Sequence, residues 1–197
     1  MNCVGRSCAY ALTVIFLIVI NFSATGKDGA SPASNDNPKD RFRWTDHARL
    51  SWDDFKGVVT ATDNEAAAAT FCSIGFKTNA ARPGDTPQIE VYNTFYVNKS
   101  WVRADARIAS ILDHEQGHFD LCEIYTRKLR DRLHNIDLSA PGIKQTLMHI
   151  YGELSREYEE RQQAYEQETT HGTNIAIQKK WQQMIATELT GQAGAQS

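Results

Sequence analysis

The chain has 197 residues, 21 of them basic and 24 acidic, and a formal net charge of −3. A weakly acidic balance gives no electrostatic reason to bind nucleic acid or an anionic membrane surface, so neither is expected as a partner. Loss of the N-terminal 26 residues would remove Arg6 and leave 20 basic residues against 24 acidic ones, a net charge of −4. The remaining length is enough for one domain with a hydrophobic core.

The segment 1–26 has the pattern of a secretory signal peptide. Arg6 supplies a short positive region, 9–22 is almost continuously apolar, and Ala24 and Gly26 stand where a cleavage site is expected. The apolar run is shorter than the ~20 residues of a membrane-spanning helix. A cleaved signal is therefore favoured over an uncleaved N-terminal anchor, which is the alternative. We expect a periplasmic or secreted protein with no stable membrane span after cleavage.

The expected mature chain begins with a solvated linker over 27–40, rich in Ser, Pro, Asn, Asp and Gly, followed by one domain over 41–197. The first part of the domain is predicted to contain strands. The run 70–77 alternates in part and 89–97 alternates more cleanly, with turn-forming residues at 82–87 between them. These two runs are predicted to pair as a hairpin.

The most informative motif is His114-Glu115-Gln116-Gly117-His118, which matches the H-E-x-x-H pattern of zinc hydrolases. Histidines at i and i+4 share one helical face, so both can bind a single cation. Glu115 lies about 100° further round the helix, where it can orient and deprotonate a metal-activated water. The alternative is a solvated surface helix, but the surrounding segment 101–135 lacks proline and has a buried, apolar periodicity. We expect one Zn²⁺ per chain.

A catalytic zinc needs three protein ligands and one open position, and the motif helix offers no good third donor. Asp120 and Glu123 face away from the two histidines, and Tyr125 is an uncommon zinc ligand. His134 lies too far along the helix axis. His149 has the apolar surroundings of a partly buried helical histidine.

His171 is the favoured third ligand because it follows a second long helix, predicted from about 144 to 170, at a break marked by Gly172. Glu168 lies one turn earlier on nearly the same face and is the rival ligand, or a partner that orients the site. The alternative is a histidine that merely complements the helix dipole. Tyr165 is a conceivable transition-state donor, although a tyrosine packed in the core fits its position better.

A last helix is predicted over 174–189, so the order is strands, metal helix and then further helices. This order suits an α+β, zincin-like metallopeptidase fold, in which a small N-terminal antiparallel sheet precedes the H-E-x-x-H helix and C-terminal helices. Cys72 and Cys122 are the cysteines of the expected mature chain. Export permits a disulfide between them, and two separately buried thiols fit equally well.

The chain is similar to the bacterial secreted Zn-dependent proteases of the DUF922 group. The segments that carry the resemblance extend from about residue 44 to 190 and are Leu50–Gly57, Ser100–Val102, His114–Asp120, Tyr125–Leu129 and Tyr165–Gly172, with Gln178 and Trp181. The resemblance implies a metallopeptidase that acts on a peptide or protein substrate. The alternative is a non-catalytic zincin-like protein of the cell envelope, which binds metal or a partner protein through the long second helix. The sequence gives no indication of the oligomeric state.

Overall fold

The computed structural model describes residues 40–60, 66–79 and 87–193. The predicted signal peptide and nearly all of the predicted linker lie outside these ranges. Within them the chain is a mixed α+β protein with two small antiparallel sheets and three α-helices. A search of the described helices finds none that is long and apolar enough to cross a bilayer.

The strands form a three-stranded sheet in the order β1-β4-β3 and a separate pair, β2-β5. The predicted hairpin is confirmed, because β3 pairs antiparallel with β4 from Cys72 opposite Phe95 to Asn79 opposite Gln88. Four apolar side chains of this hairpin enter the core, Ile74, Phe76, Val91 and Phe95, the last with no exposed surface. The strands are β1 (Arg41–Phe42), β2 (Ala68–Ala69), β3 (Cys72–Asn79), β4 (Gln88–Tyr96) and β5 (Trp101–Val102).

The three helices are α1 (Ala109–Leu133), α2 (Ile143–Thr169) and α3 (Ile175–Ala193). Helix α1 is central, since it packs against the β3–β4 hairpin and also against both other helices. It is buried on more than one side, as expected for a helix between a sheet and a helical layer. Phe119 of α1 packs edge-to-face on Phe95, with ring centroids 5.3 Å apart.

Helix α1 begins at Ala109, eight residues into the segment 101–135 whose periodicity predicts a helix. Trp101 and Val102 are taken up by strand β5, which pairs with β2, and a short 3-10 turn follows over Ala104–Ala106. The hydroxyl oxygen of Ser100, just before this segment, accepts a hydrogen bond from the Phe71 amide at 3.0 Å. Tertiary strand pairing therefore overrides the helical periodicity in this segment.

Candidate metal centre

Three side chains from two helices converge on one point. The Nε2 atoms of His114 and His118 lie 3.2 Å apart, and Oε2 of Glu166 lies 2.9 Å from the first and 3.0 Å from the second. Among the described residues these three form a group that can hold a metal ion. Ligands at the usual bond lengths of a tetrahedral zinc site are ~3.3 Å apart. The triangle of these three donor atoms therefore fits such an ion if their separations increase by a few tenths of an ångström.

The third donor in this triangle is Glu166, whereas sequence analysis favoured His171 and kept Glu168 as its rival. His171 lies beside the triangle, with its Nδ1 hydrogen-bonded to Oε1 of Glu166. Glu168 faces α3, where its Oε2 accepts a hydrogen bond from Trp181 Nε1 at 2.9 Å. Two helical positions separate Glu166 from Glu168, a rotation of about 200°, so the two carboxylates point to different neighbours.

A signal for Glu166 exists in the sequence. Gln162, Tyr165, Glu166 and Thr169 recur at spacings of three and four, so they form one polar stripe along α2. All four are buried, and this stripe is the face of α2 that meets the two histidines. A buried carboxylate in such a stripe needs a partner of opposite charge.

The His114 ring is fixed in one tautomer by a closed circuit of hydrogen bonds. Tyr165 donates its hydroxyl hydrogen to the His114 carbonyl oxygen at 3.0 Å, so the same hydroxyl accepts from Gln178 Nε2 at 2.7 Å. The Gln178 carbonyl oxygen is then turned to His114 Nδ1, 3.1 Å away. Nδ1 must donate, and the lone pair of Nε2 is left facing Glu166.

His118 is fixed in the same way by one residue. Gln162 donates from Nε2 to the His118 carbonyl oxygen at 3.0 Å, which turns its own carbonyl oxygen to His118 Nδ1 at 2.5 Å. Both imidazoles, when neutral, therefore present Nε2 lone pairs to a carboxylate oxygen. Three acceptors within hydrogen-bonding distance need a cation or a proton between them.

The charges of the metal-free site follow from this arrangement. Burial favours the neutral form of His118, but the hydrogen bond and charge of Glu166 outweigh it and raise the His118 pKa to about 9. Burial likewise acts to raise the pKa of Glu166, but its contacts with His114 and His118 hold that pKa well below its usual range. Without a metal, the site keeps a proton at neutral pH where a cation would otherwise bind.

Glu115 is buried beside this centre, with 4% of its surface exposed. Its Oε2 has no hydrogen-bond partner among the described residues, and an unpaired buried carboxylate oxygen is costly. Its negative charge is a further cause of the raised pKa of His118.

The remaining motif residues support the site. Gln116 binds the backbone of the N-terminal segment, accepting from the Leu50 amide at 2.8 Å and donating to the Ala48 carbonyl oxygen at 2.9 Å. Gly117 makes room for Tyr165, whose hydroxyl oxygen would lie 2.2 Å from a Cβ at this position. The Tyr165 ring stacks on His114 with centroids 4.8 Å apart. Tyr165 thus lies behind the histidines, with its hydroxyl engaged in the His114 circuit.

Cys72 and Cys122 are both free thiols, so the structure has no disulfide between them. Cys72 Sγ also lies 3.3 Å from the Tyr158 hydroxyl, which accepts from Gln162 at 2.8 Å. Contact with Cys122 lowers the pKa of Cys72, while burial raises that of Cys122. Cys72 is therefore linked through Tyr158 to Gln162, the residue that orients His118.

Comparison with known proteins gives one match. The sequence model of a family described as "Bacterial protein of unknown function (DUF922)" matches residues 85–172, a range that begins before β4 and ends just after α2. It includes the H-E-x-x-H motif, Glu166 and His171. Neither a curated protein nor a solved structure matches this chain.

Proposed function

We propose that the protein is a zinc-dependent hydrolase, and specifically a zincin-like metallopeptidase of the periplasm or the extracellular space. The observation that carries the proposal is the convergence of His114 Nε2, His118 Nε2 and Glu166 Oε2, all three within 3.2 Å of one another. Two histidines and one glutamate are a ligand set of catalytic zinc, which leaves a fourth position open. The signal-peptide pattern of 1–26 supports the location.

Each residue has a role in this proposal. His114, His118 and Glu166 would hold the ion, which supplies a Lewis acid that polarises the scissile carbonyl and favours ionisation of a water. Glu115 takes a proton from the attacking water as the new C–O bond forms. It then delivers that proton to the amide nitrogen as the C–N bond breaks, giving a carboxylic acid and an amine. The unpaired, buried Oε2 of Glu115 suits this role.

The peptide substrate is proposed from the H-E-x-x-H pattern and from the resemblance described above. Main-chain amides are the bonds on which this combination of Lewis acid and carboxylate base commonly acts. The alternative, a zincin-like protein that binds metal or a partner without turnover, has the same ligand triangle but gives Glu115 no role in catalysis.

The test compares zinc content and peptide hydrolysis in the exported, purified protein. We expect about one zinc per chain and cleavage of an unfolded protein substrate. Glu115→Gln should keep the zinc but lose activity by ~10²–10⁴, as is typical when a general base is removed. His149→Ala is the matched control, because His149 is exposed and lies with Glu153 outside the site.

The outcomes separate the two functions. Zinc without cleavage of any peptide in a diverse library would favour the binding protein. Absence of zinc from the native protein, even after reconstitution, would overturn the proposal altogether. Unchanged turnover in Glu115→Gln would show that the base is another group.

A further inference from the structure

The chain at the end of α2 adopts an unusual backbone. Thr170, His171 and Gly172 all have positive φ angles, of 52°, 55° and 75°. One left-handed residue, usually glycine, is enough to end a helix. Gly172 suits its position, since a Cβ there would also lie 2.8 Å from Cβ of His114. The left-handed conformation of His171 needs another explanation, because a side chain disfavours it.

The position of the His171 side chain supplies that explanation. Nδ1 of His171 bonds to Oε1 of Glu166, the oxygen that does not face His114 and His118. A carboxylate oxygen can only accept, so His171 Nδ1 donates the hydrogen. Glu166 is thereby held with one oxygen on each side, Oε1 at His171 and Oε2 at the two histidines.

We infer that His171 is a positioning residue that keeps Glu166 a one-oxygen ligand, and that the left-handed backbone at His171 is retained for this purpose. The inference rests on the proposed zinc site. A carboxylate that turned both oxygens to the ion would occupy two coordination positions and fill the open one that catalysis needs. The hydrogen bond from His171 opposes that rotation.

Three substitutions at one position separate the side chain from the backbone. His171→Ala removes the hydrogen bond and keeps the strained conformation, whereas His171→Gly removes both. His171→Asn tolerates the left-handed region and places an Nδ2–H donor the same number of bonds from the backbone as Nδ1 of histidine. Thr170→Gly is the control, because Thr170 is exposed and also left-handed, and its bond to a ligand residue runs from its backbone N–H to the Glu166 carbonyl oxygen, which glycine retains.

The measurements are zinc affinity, by competition with a chromophoric chelator, and urea unfolding in the presence of EDTA. We expect His171→Ala and His171→Gly to weaken zinc binding equally, by about 10–100-fold. The His171→Gly variant should nevertheless unfold at a higher urea concentration than His171→Ala. Asn should restore the affinity to within a few-fold of native. With Co²⁺ in place of zinc, visible absorption should weaken in Ala and Gly, since absorption falls as the coordination number rises. Thr170→Gly should leave both metal readouts unchanged.

Other results would overturn the inference. Native affinity in His171→Gly together with weak binding in His171→Ala would show that only the backbone conformation matters. Native zinc affinity in both His171→Ala and His171→Gly would also contradict it. So would a His171→Asn variant that binds zinc as weakly as His171→Ala. If the native protein bound no zinc, the proposed function itself would fail, and that outcome is distinct from each of these.

Discussion

Helix α1 and the end of α2 contribute side chains to the same candidate metal centre, but these side chains are positioned in different ways. In α1 the histidines are brought together by helical spacing alone, four residues apart, and their Nε2 atoms lie 3.2 Å apart. At the end of α2 the donor Glu166 comes from 48 residues beyond His118 and is oriented by a left-handed turn. The first arrangement depends on local geometry and the second on helix packing, so substitutions in the two regions should act differently.

The largest expected effect is on zinc binding, and it depends on which of two carboxylates of α2, Glu166 or Glu168, binds the metal. Glu166→Ala should abolish stoichiometric zinc binding, because two histidines alone are too few donors for a stable site. Glu168→Ala should retain about one zinc per chain, since Glu168 bonds to Trp181. Metal analysis of the two purified variants makes the comparison. The reverse pattern would show that Glu168 is the ligand.

A second comparison uses two helical glycines. Gly117→Ala should destabilise the protein by about 3 kcal/mol, because its Cβ would meet the Tyr165 hydroxyl and break the circuit around His114. Gly152→Ala, in α2, should instead stabilise it by about 0.5–1 kcal/mol, since a Cβ there meets nothing within 4 Å. Urea unfolding measures both changes. Equal effects at the two positions would contradict the packing described here.

The pH dependence of the stability of the metal-free protein should report the contact between His118 of α1 and Glu166 of α2. The pKa of His118 is raised to about 9 in the folded state, so its contribution to stability is complete below pH 6.5 and is lost as pH rises from 6.5 to 9. We expect the free energy of unfolding in EDTA to fall by about 3 kcal/mol over this range. With zinc bound the decline should be absent, and His118→Ala should abolish it in the metal-free protein. A persistent decline in that variant would assign the effect to another group.

The features predicted from the sequence are those set by short-range periodicity. The β3–β4 hairpin, the motif helix and the shared face of His114 and His118 all follow from spacings of two or four residues. The helical periodicity begins at 101 but α1 begins at Ala109, because Trp101 and Val102 pair with strand β2. The polar stripe that includes Gln162 and Glu166 marks the side of α2 that meets α1, but the choice among Glu166, Glu168 and His171 depends on how the two helices pack.

The most direct test of the zinc centre is a crystal structure of the zinc-loaded protein with anomalous data collected on both sides of the zinc edge. The account predicts one anomalous peak, ~2.0–2.2 Å from Nε2 of His114, Nε2 of His118 and one oxygen of Glu166. His171 should remain bonded to the other oxygen of Glu166. A peak coordinated by His171 or Glu168 in place of Glu166, or no peak between the two histidines, would contradict it.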